Sequence, residues 1–356
     1  MKRIIALLLA CLCLPLLRLL VTAQANTTPS VSARHAVLYE PTTDTFLYDK
    51  DSVSRAPMAS TTKIMTAYLA IKYGSLDDLV EIPEAACGIE GSSLYLTAGE
   101  HLTLRDLVYG LLLQSANDAA AAIAIHMSGS IDAFARLMNN ECECLGLVNT
   151  HFVNPHGLDN PDHFTSARDL AKLTAAALDL PIFATAVAQQ KYAIHCENDD
   201  KRILVNHNKL LRLYDDATGV KTGYTKKSGR CLVGAAEQDG LRLISVTLNA
   251  PDDWNDHISL FEYGFSQMEN RLLCSAEELL YEIPSFNQSG ISVTCTNSED
   301  IYAILFRDAP APVLQFEIGH HIPTPQKVGT IVGRVICLLG GKIIAESPMM
   351  IKEIHN

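Results

Sequence analysis

The 356-residue chain is short of positive charge: 28 lysines and arginines stand against 40 aspartates and glutamates, for a net charge of −12. That deficit argues against a polyanionic partner, so no nucleic acid is expected as a ligand. No internal repeat and no low-complexity tract is present, which excludes solenoid and disordered classes. No pair of cysteines has the C-x-x-C spacing of a zinc site. The longest apolar run near the start is cut to 14 residues by Arg18, short of the roughly 20 that a membrane span needs.

What is present is a globular composition, 48% hydrophobic and 19% charged. The length and composition predict two domains once a targeting segment is set aside. Residues 1–25 read as that segment. Lys2 and Arg3 form a charged start, "IIALLLACLCLPLL" is apolar, and Ala23-Gln24-Ala25 suits a signal peptidase. The expectation is an exported protein working outside the cytoplasm, in the wall or at the outer face of the membrane. Removing Lys2, Arg3 and Arg18 would take the net charge to about −15. Eight cysteines would remain, at 87, 142, 144, 196, 231, 274, 295 and 337. Export permits disulfides, and eight cysteines allow 105 pairings. Their scatter over apolar segments favours buried free thiols for several of them. Cys142 and Cys144, two apart on a predicted helix, should point in different directions.

The periodicity changes along the chain. "HAVLYEPTTDTFLYDKDS" alternates around a polar turn and predicts a hairpin. The segment from Ser60 to a stop at Gly74 has helical spacing, as do "TLRDLVYGLLLQ", "AAAAIAIHMSG", "IDAFARLMNNECECLGL" and "TSARDLAKLTAAALDL". From 218, "TGVKTGYT", "CLVGAAEQ" and "LRLISVTLN" are strand-like, with Asp239-Gly240 as a tight turn between the last two. Strand, helices and then strands predict an α+β domain over 26–268, an antiparallel sheet packed against helices. Short strands separated by Pro, Gly and Asn predict a small all-β domain over 269–356.

Three short motifs carry chemistry. Ser60-Thr61-Thr62-Lys63 is the chain's one S-x-x-K match. On a helix, residues three apart share a face, so Lys63 can reach the Ser60 hydroxyl. Serine is a weak nucleophile until a base takes its proton, and a lysine serves only when neutral, as burial or a second cation makes it. Ser115-Ala116-Asn117 lies between two helical segments. Its serine can relay a proton, and its asparagine can donate to a substrate amide while accepting from a lysine. Lys221-Thr222-Gly223 lies on a predicted strand. It offers a cation, a hydroxyl and room for close approach, on an edge able to pair with an extended peptide. Ser285-Phe286-Asn287 and Lys227-Ser228-Gly229 match the second and third patterns by accident of place, in the other domain and in a turn. His156 and His207 read as loop-shaping residues, and His320 and His321 as solvent-facing.

S-x-x-K, S-D-N and K-T-G in order form the signature set of class A β-lactamases and penicillin-binding proteins. With "GSSLYLTAGE", "NPHGLD", "GVKTGYTKKSGRCLV" and "LISVTLNAP", the chain resembles the low-molecular-mass penicillin-binding proteins that are serine-type D-alanyl-D-alanine carboxypeptidases. The likeness spans about 30–265, and a looser one covers the β domain. It implies a β-lactamase/transpeptidase-like antiparallel sheet flanked by helices. It also implies release of the terminal D-alanine from peptidoglycan stem peptides, capture of β-lactam antibiotics, and no cofactor or metal. By the same resemblance Ser60 is the nucleophile and Lys63 its base. Ser115 and Asn117 assist proton transfer and placement, and Lys221 and Thr222 hold the terminal carboxylate. Gly223 admits the substrate, and the N–H groups of Ser60 and Tyr224 bind the oxyanion.

Departures from the pattern narrow the reading. Ala116 stands where β-lactamases of class A have aspartate, and the E-x-x-L-N stretch that supplies their deacylation base is absent. Glu141 and Glu143 fall in that region but read as helix surface. Some relatives carry a substrate-binding arginine near 256, where this chain has Asp256. No amphipathic tail helix follows the last strand, which implies a soluble form or one held by an uncleaved signal, with peripheral wall or membrane association. The competing readings are a β-lactamase and a non-catalytic penicillin-binding sensor.

Overall fold

The computed structural model describes residues 27–195, 201–284, 292–319 and 327–355. The expected export segment, Cys196, the Ser285-Phe286-Asn287 match and the His320–His321 pair lie outside the described residues. The chain divides into two compact units, one ending with Arg242–Phe265 and one holding Asp239–Leu241 and Ser266–Asn356.

The first unit is built on a five-stranded sheet. Strands β1 (His35–Glu40) and β2 (Thr45–Lys50) form the expected hairpin. After it come α1 (Lys63–Tyr73), β3 (Leu79–Glu81), β4 (His101–Thr103), α2 (Leu104–Leu113), α3 (Asn117–Ser128) and α4 (Ile131–Leu145). Next are α5 (Ala167–Leu178), α6 (Pro181–Ala188), the hairpin β5 (Lys191–His195) and β6 (Lys201–Val205), and the single turn α7 (Leu210–Leu213). The chain then returns to the sheet as β7 (Ala217–Thr225), β8 (Gly229–Gln238) and β9 (Leu241–Leu248), and closes with α8 (Asp253–Gln267). The sheet order is β2-β1-β9-β8-β7, so β7 is an edge strand.

Local chemistry explains the helix starts. Thr103, Ser130 and Ser166 each turn a hydroxyl back to accept from the backbone N–H three residues on, which satisfies one of the donors a helix N-terminus leaves open. The middle of α3, Ala119 to Ala124, is fully buried. Small side chains there let α1, α2 and α4 close on it, since packed interiors leave no space for a larger stem. β1 departs from the expected alternation: all six of its residues are buried. It lies between β1's two neighbours in a sheet covered by α5 and α8, so both of its faces are inside. Its one carboxylate, Glu40, is satisfied by the Thr42 and Thr43 N–H groups and the Thr43 hydroxyl.

The second unit is all-β. It contains β10 (Met268–Cys274), β11 (Tyr281–Pro284), β12 (Ser292–Asn297), β13 (Ile301–Phe306), β14 (Val313–Ile318), β15 (Ile331–Leu339) and β16 (Lys342–His355). They form a five-stranded sheet, β11-β12-β16-β15-β14, and a β10-β13 pair. Cys274, Cys295 and Cys337 lie in its core as free thiols. Cys142 is buried and Cys144 exposed on α4, also free, as the two-residue spacing requires.

Phe134 of α4 is fully buried in the core of the first unit. Phe134→Ala should lower its unfolding free energy by about 3–5 kcal/mol, read from the shift in urea midpoint. A loss under about 1 kcal/mol would mean that this helix does not pack as described.

Candidate active site

The site forms where the start of α1 meets the edge strand β7. A 3-10 turn, Ala59–Thr62, leads into α1, and Ala59 takes a positive φ of 46°. That turn sets Ser60 at the mouth of the helix, with a backbone N–H that no intrahelical carbonyl can reach. Gly223 of β7 runs so close that a Cβ there would stand 3.0 Å from the Ser60 nitrogen and 3.1 Å from the Ala59 Cβ. The glycine of the third motif therefore sets how near the strand comes to Ser60.

Lys63 is the centre of the arrangement and is fully buried. Its Nζ lies 2.9 Å from Ser60 Oγ, 2.7 Å from Asn117 Oδ1 and 2.5 Å from the His156 carbonyl oxygen. Asn117 Nδ2 donates to the Glu90 carbonyl, which turns its Oδ1 toward the lysine. Burial, with the Lys221 charge beside it and against the pull of Asp118, holds Lys63 well below the ordinary lysine value. A neutral amine has two N–H groups and one lone pair. Two carbonyl oxygens take the N–H groups, which leaves the lone pair facing the Ser60 hydroxyl.

Lys221 is buried on β7 and donates to the Thr222 carbonyl at 2.9 Å. Burial pulls its pKa down to about 7. Ser115 sits between α2 and α3 with a φ of 60°, and its side chain lines the cleft. Ala116 is fully buried behind it, so the space that a larger residue would need there is filled. The cleft, about 340 Å³, is lined by Ser60, Ser115, Thr222, Gly223 and Tyr224. All three motifs thus converge; Lys63, Asn117 and Lys221 lie just beneath the surface they form.

Several participants had no part in the chemistry expected from the sequence. The loop 154–159 backs the site: His156 offers its carbonyl to Lys63, and Pro155 offers one to Thr66 at 2.6 Å. A Cβ on Gly157, whose φ is 90°, would fall 1.9 Å from the Ala59 oxygen. His163 reaches the same turn. Its Nδ1 accepts from the Val153 N–H, so Nε2 carries the proton and donates to Thr62 Oγ1 at 2.7 Å. Thr62 Oγ1 then donates to the Ala59 oxygen at 2.8 Å. Burial, then neighbouring His156, His151 and Lys63, hold His163 neutral with a pKa of about 3. A backbone carbonyl carries no residue signature, and "NPHGLD" alone does not say which atom is used.

His207, in the irregular segment before α7, lines the cleft, and burial followed by the Lys221 charge lowers its pKa. One expectation needs correction. Glu141 is not helix surface. It is buried, and accepts from Lys72 at 2.7 Å and Tyr73 at 2.8 Å, because α1 presents those donors to α4. Asp256 does not face the cleft; it accepts from the Ser32 and Ala33 N–H groups and anchors the strand approach to β1. The cleft instead receives Arg230, Asp253 and Trp254. Arg230 donates to Asp253 Oδ1 through Nε (2.9 Å) and Nη2 (2.6 Å) and lies over the Trp254 ring. Among the described residues, no three His, Cys, Asp or Glu side chains are placed to share a metal ion.

A family model described as D-alanyl-D-alanine carboxypeptidase matches residues 22–252. The chain is 32% identical over 331 residues to D-alanyl-D-alanine carboxypeptidase DacF of Bacillus subtilis strain 168, covering 90% of this chain and 85% of that one. It is 32% identical over 348 residues to DacC of Escherichia coli K12, covering 91% and 84%. Among solved structures, penicillin binding protein 5 from Haemophilus influenzae is similar with a TM-score of 0.67 and 28% identity, over 93% of this chain and 99% of that one. The Streptomyces K15 DD-transpeptidase is similar at 0.64 and 32%, over 67% and 99%.

The buried Lys221 makes stability depend on pH. Its folded pKa, about 7, lies below the ordinary 10.5 of an unfolded chain. The unfolded state therefore binds more protons between those values, and the cost of burying the lysine shrinks as pH rises through them. Lys221→Met should raise the urea midpoint at pH 6, and the gain should shrink by pH 10. A variant less stable than the parent at pH 6 would contradict this account.

Proposed function

The chain belongs to the family of serine-type D-alanyl-D-alanine carboxypeptidases, and from that premise we propose which residues carry the reaction. The enzyme removes the terminal D-alanine from peptidoglycan stem peptides through an acyl-enzyme, and binds penicillin. It works outside the cytoplasm, where that substrate is. In our reading it is held at the wall or at the outer face of the membrane by peripheral contacts. The substrate being an immobile polymer supports that reading.

Ser60 is the nucleophile. Lys63 takes its proton as Oγ attacks the carbonyl carbon of the bond between the two D-alanines. The carbonyl oxygen becomes an oxyanion held by the N–H groups of Ser60 and Tyr224, in the gap that Gly223 leaves open. The proton on Lys63 passes through Ser115 to the departing amine nitrogen, and D-alanine leaves. Water then attacks the ester, again with its proton drawn to Lys63, and Ser60 is released. Asn117 keeps Lys63 aimed while its own amide stays pinned to Glu90. Lys221 and Thr222 hold the terminal carboxylate as the peptide lies along the edge of β7.

The observation that carries the proposal is the partner set of Lys63: two carbonyl acceptors and one hydroxyl. Two buried lysines close together cannot both stay charged. Lys63 gives up its proton and becomes a base, while Lys221 keeps one for the carboxylate. A β-lactamase reading has less support. The carboxylate lining the cleft, Asp253, is committed to Arg230, and so is a poor candidate for a free deacylation base.

Ser60→Ala should abolish both D-alanine release from diacetyl-Lys-D-Ala-D-Ala and covalent labelling by fluorescent penicillin, with the fold intact by circular dichroism. Stoichiometric labelling of that variant would remove Ser60 from its role. Labelling of the parent without any peptide turnover would favour the sensor reading.

A second expectation concerns pH. kcat/KM reports the free enzyme, so it should fall on the alkaline side as Lys221 loses its proton near pH 7. In kcat the same limb should move to higher pH, because a bound carboxylate stabilises the charged lysine. In Lys221→Arg the limb should vanish below pH 9. Its persistence would mean that another group is titrating.

A further inference from the structure

A second cavity in the first unit, about 370 Å³, lies apart from the motifs. Three cations line it from three separate stretches: Arg34 just before β1, Arg55 in the segment leading to the 3-10 turn, and Lys227 in the β7–β8 turn. This reverses the balance of a chain with 40 acids and 28 bases. The carboxylate that lines the cavity, Asp51, is already engaged, by His35 Nδ1 at 2.8 Å and by the Ser54 hydroxyl. Among the described residues neither Arg34 nor Lys227 has a carboxylate partner. Arg55 lies 4.7 Å over the Phe164 ring and reaches only the neutral Asn149 side chain, so its charge is unmatched as well.

The cavity shares two pieces of chain with the catalytic cleft. Ala56 and Pro57 on its wall lead directly to Ser60, and Ser228 on its wall precedes Arg230 of the cleft. A polymer seated in the cleft therefore has a cationic pocket beside the same β7–β8 turn.

We propose that this cavity binds a carboxylate of the peptidoglycan polymer carried on a stem peptide other than the one being cleaved. The inference rests on the carboxypeptidase reading of the Ser60 cleft. A guanidinium presents paired N–H donors that match the two oxygens of a carboxylate, and a lysine adds a second charge from another side. The substrate polymer repeats its stem peptides, so a second contact on one strand raises the effective concentration of the next scissile peptide without altering the chemistry. A soluble tripeptide substrate gains nothing from the cavity.

The test compares two substrates in one variant, Arg34→Glu/Lys227→Glu. kcat/KM for D-alanine release should fall about tenfold on purified peptidoglycan stripped of phosphate-bearing polymers. On diacetyl-Lys-D-Ala-D-Ala it should not change, nor should the rate of penicillin labelling. The polymer-specific loss should shrink in about 0.5 M salt, where exposed charges are screened. Unchanged turnover of both substrates overturns the proposal, and so does a parallel loss on both. A loss confined to peptidoglycan that retains phosphate polymers also overturns it, and assigns the cavity to phosphate instead. Arg34→Gln/Lys227→Gln is read in the same way if the charge-reversed chain does not fold. Failure of the Ser60 reading is separate: the parent would then release D-alanine from neither substrate.

Discussion

A lysine amine taken wholly out of water is the constraint around which this molecule is arranged. Left charged, Lys63 would lose its hydration with no carboxylate in contact to replace it. Neutral, it needs two acceptors and leaves one lone pair. Each acceptor comes from a different element: Asn117 opens α3, and His156 lies in the loop after α4. The helical part between β2 and β7 has to close around α1 for those two oxygens to meet. The run of four alanines at the centre of α3, Ala119 to Ala122, permits that closure.

The same requirement explains the second tier of contacts. Ala59 carries a positive φ directly before Ser60, a conformation disfavoured for a residue with a Cβ. It persists because its oxygen is held by Thr62, which is held by His163, while Gly157 packs against it from below. Strain of this kind survives where the surroundings over-determine it. A neutral His163 suits the task, since its ring must accept on one nitrogen and donate from the other. Burial keeps it neutral across the physiological range.

What could be read from the sequence was what a motif encodes locally. Ser60 and Lys63 are one turn apart on one helix, Ser115 and Asn117 flank one helix start, and Lys221 to Gly223 run along one strand. Their meeting could be inferred only from order and family resemblance. Contacts between distant side chains could not be read at all. Arg230 and Asp253 lie 23 residues apart and are joined by two N–H groups on one carboxylate oxygen, yet neither stands out in its own stretch. Glu141 looked like surface because α4 is amphipathic, and the donors it meets belong to α1. Where some relatives carry an arginine this chain has Asp256, and its partners, the Ser32 and Ala33 N–H groups, lie more than 200 residues away in sequence. In α8 it is Asp253 and Trp254, one turn earlier, that face the cleft.

Net charge and site charge pull in opposite directions here, and distance decides between them. The chain is acidic overall, so at long range it repels an anionic substrate. Screening shortens that repulsion to about 8–10 Å at physiological salt. Within that range the substrate carboxylate meets Lys221, whose charge is screened little because it is buried. Recognition of the peptide terminus is therefore a contact-range event with no long-range steering behind it. Such an enzyme gains from anything that keeps the polymer nearby between turnovers. It also gains from a lysine whose pKa near 7 makes its charge sensitive to whether a carboxylate is present. In the empty site that proton is held weakly near pH 7, and a bound carboxylate holds it firmly.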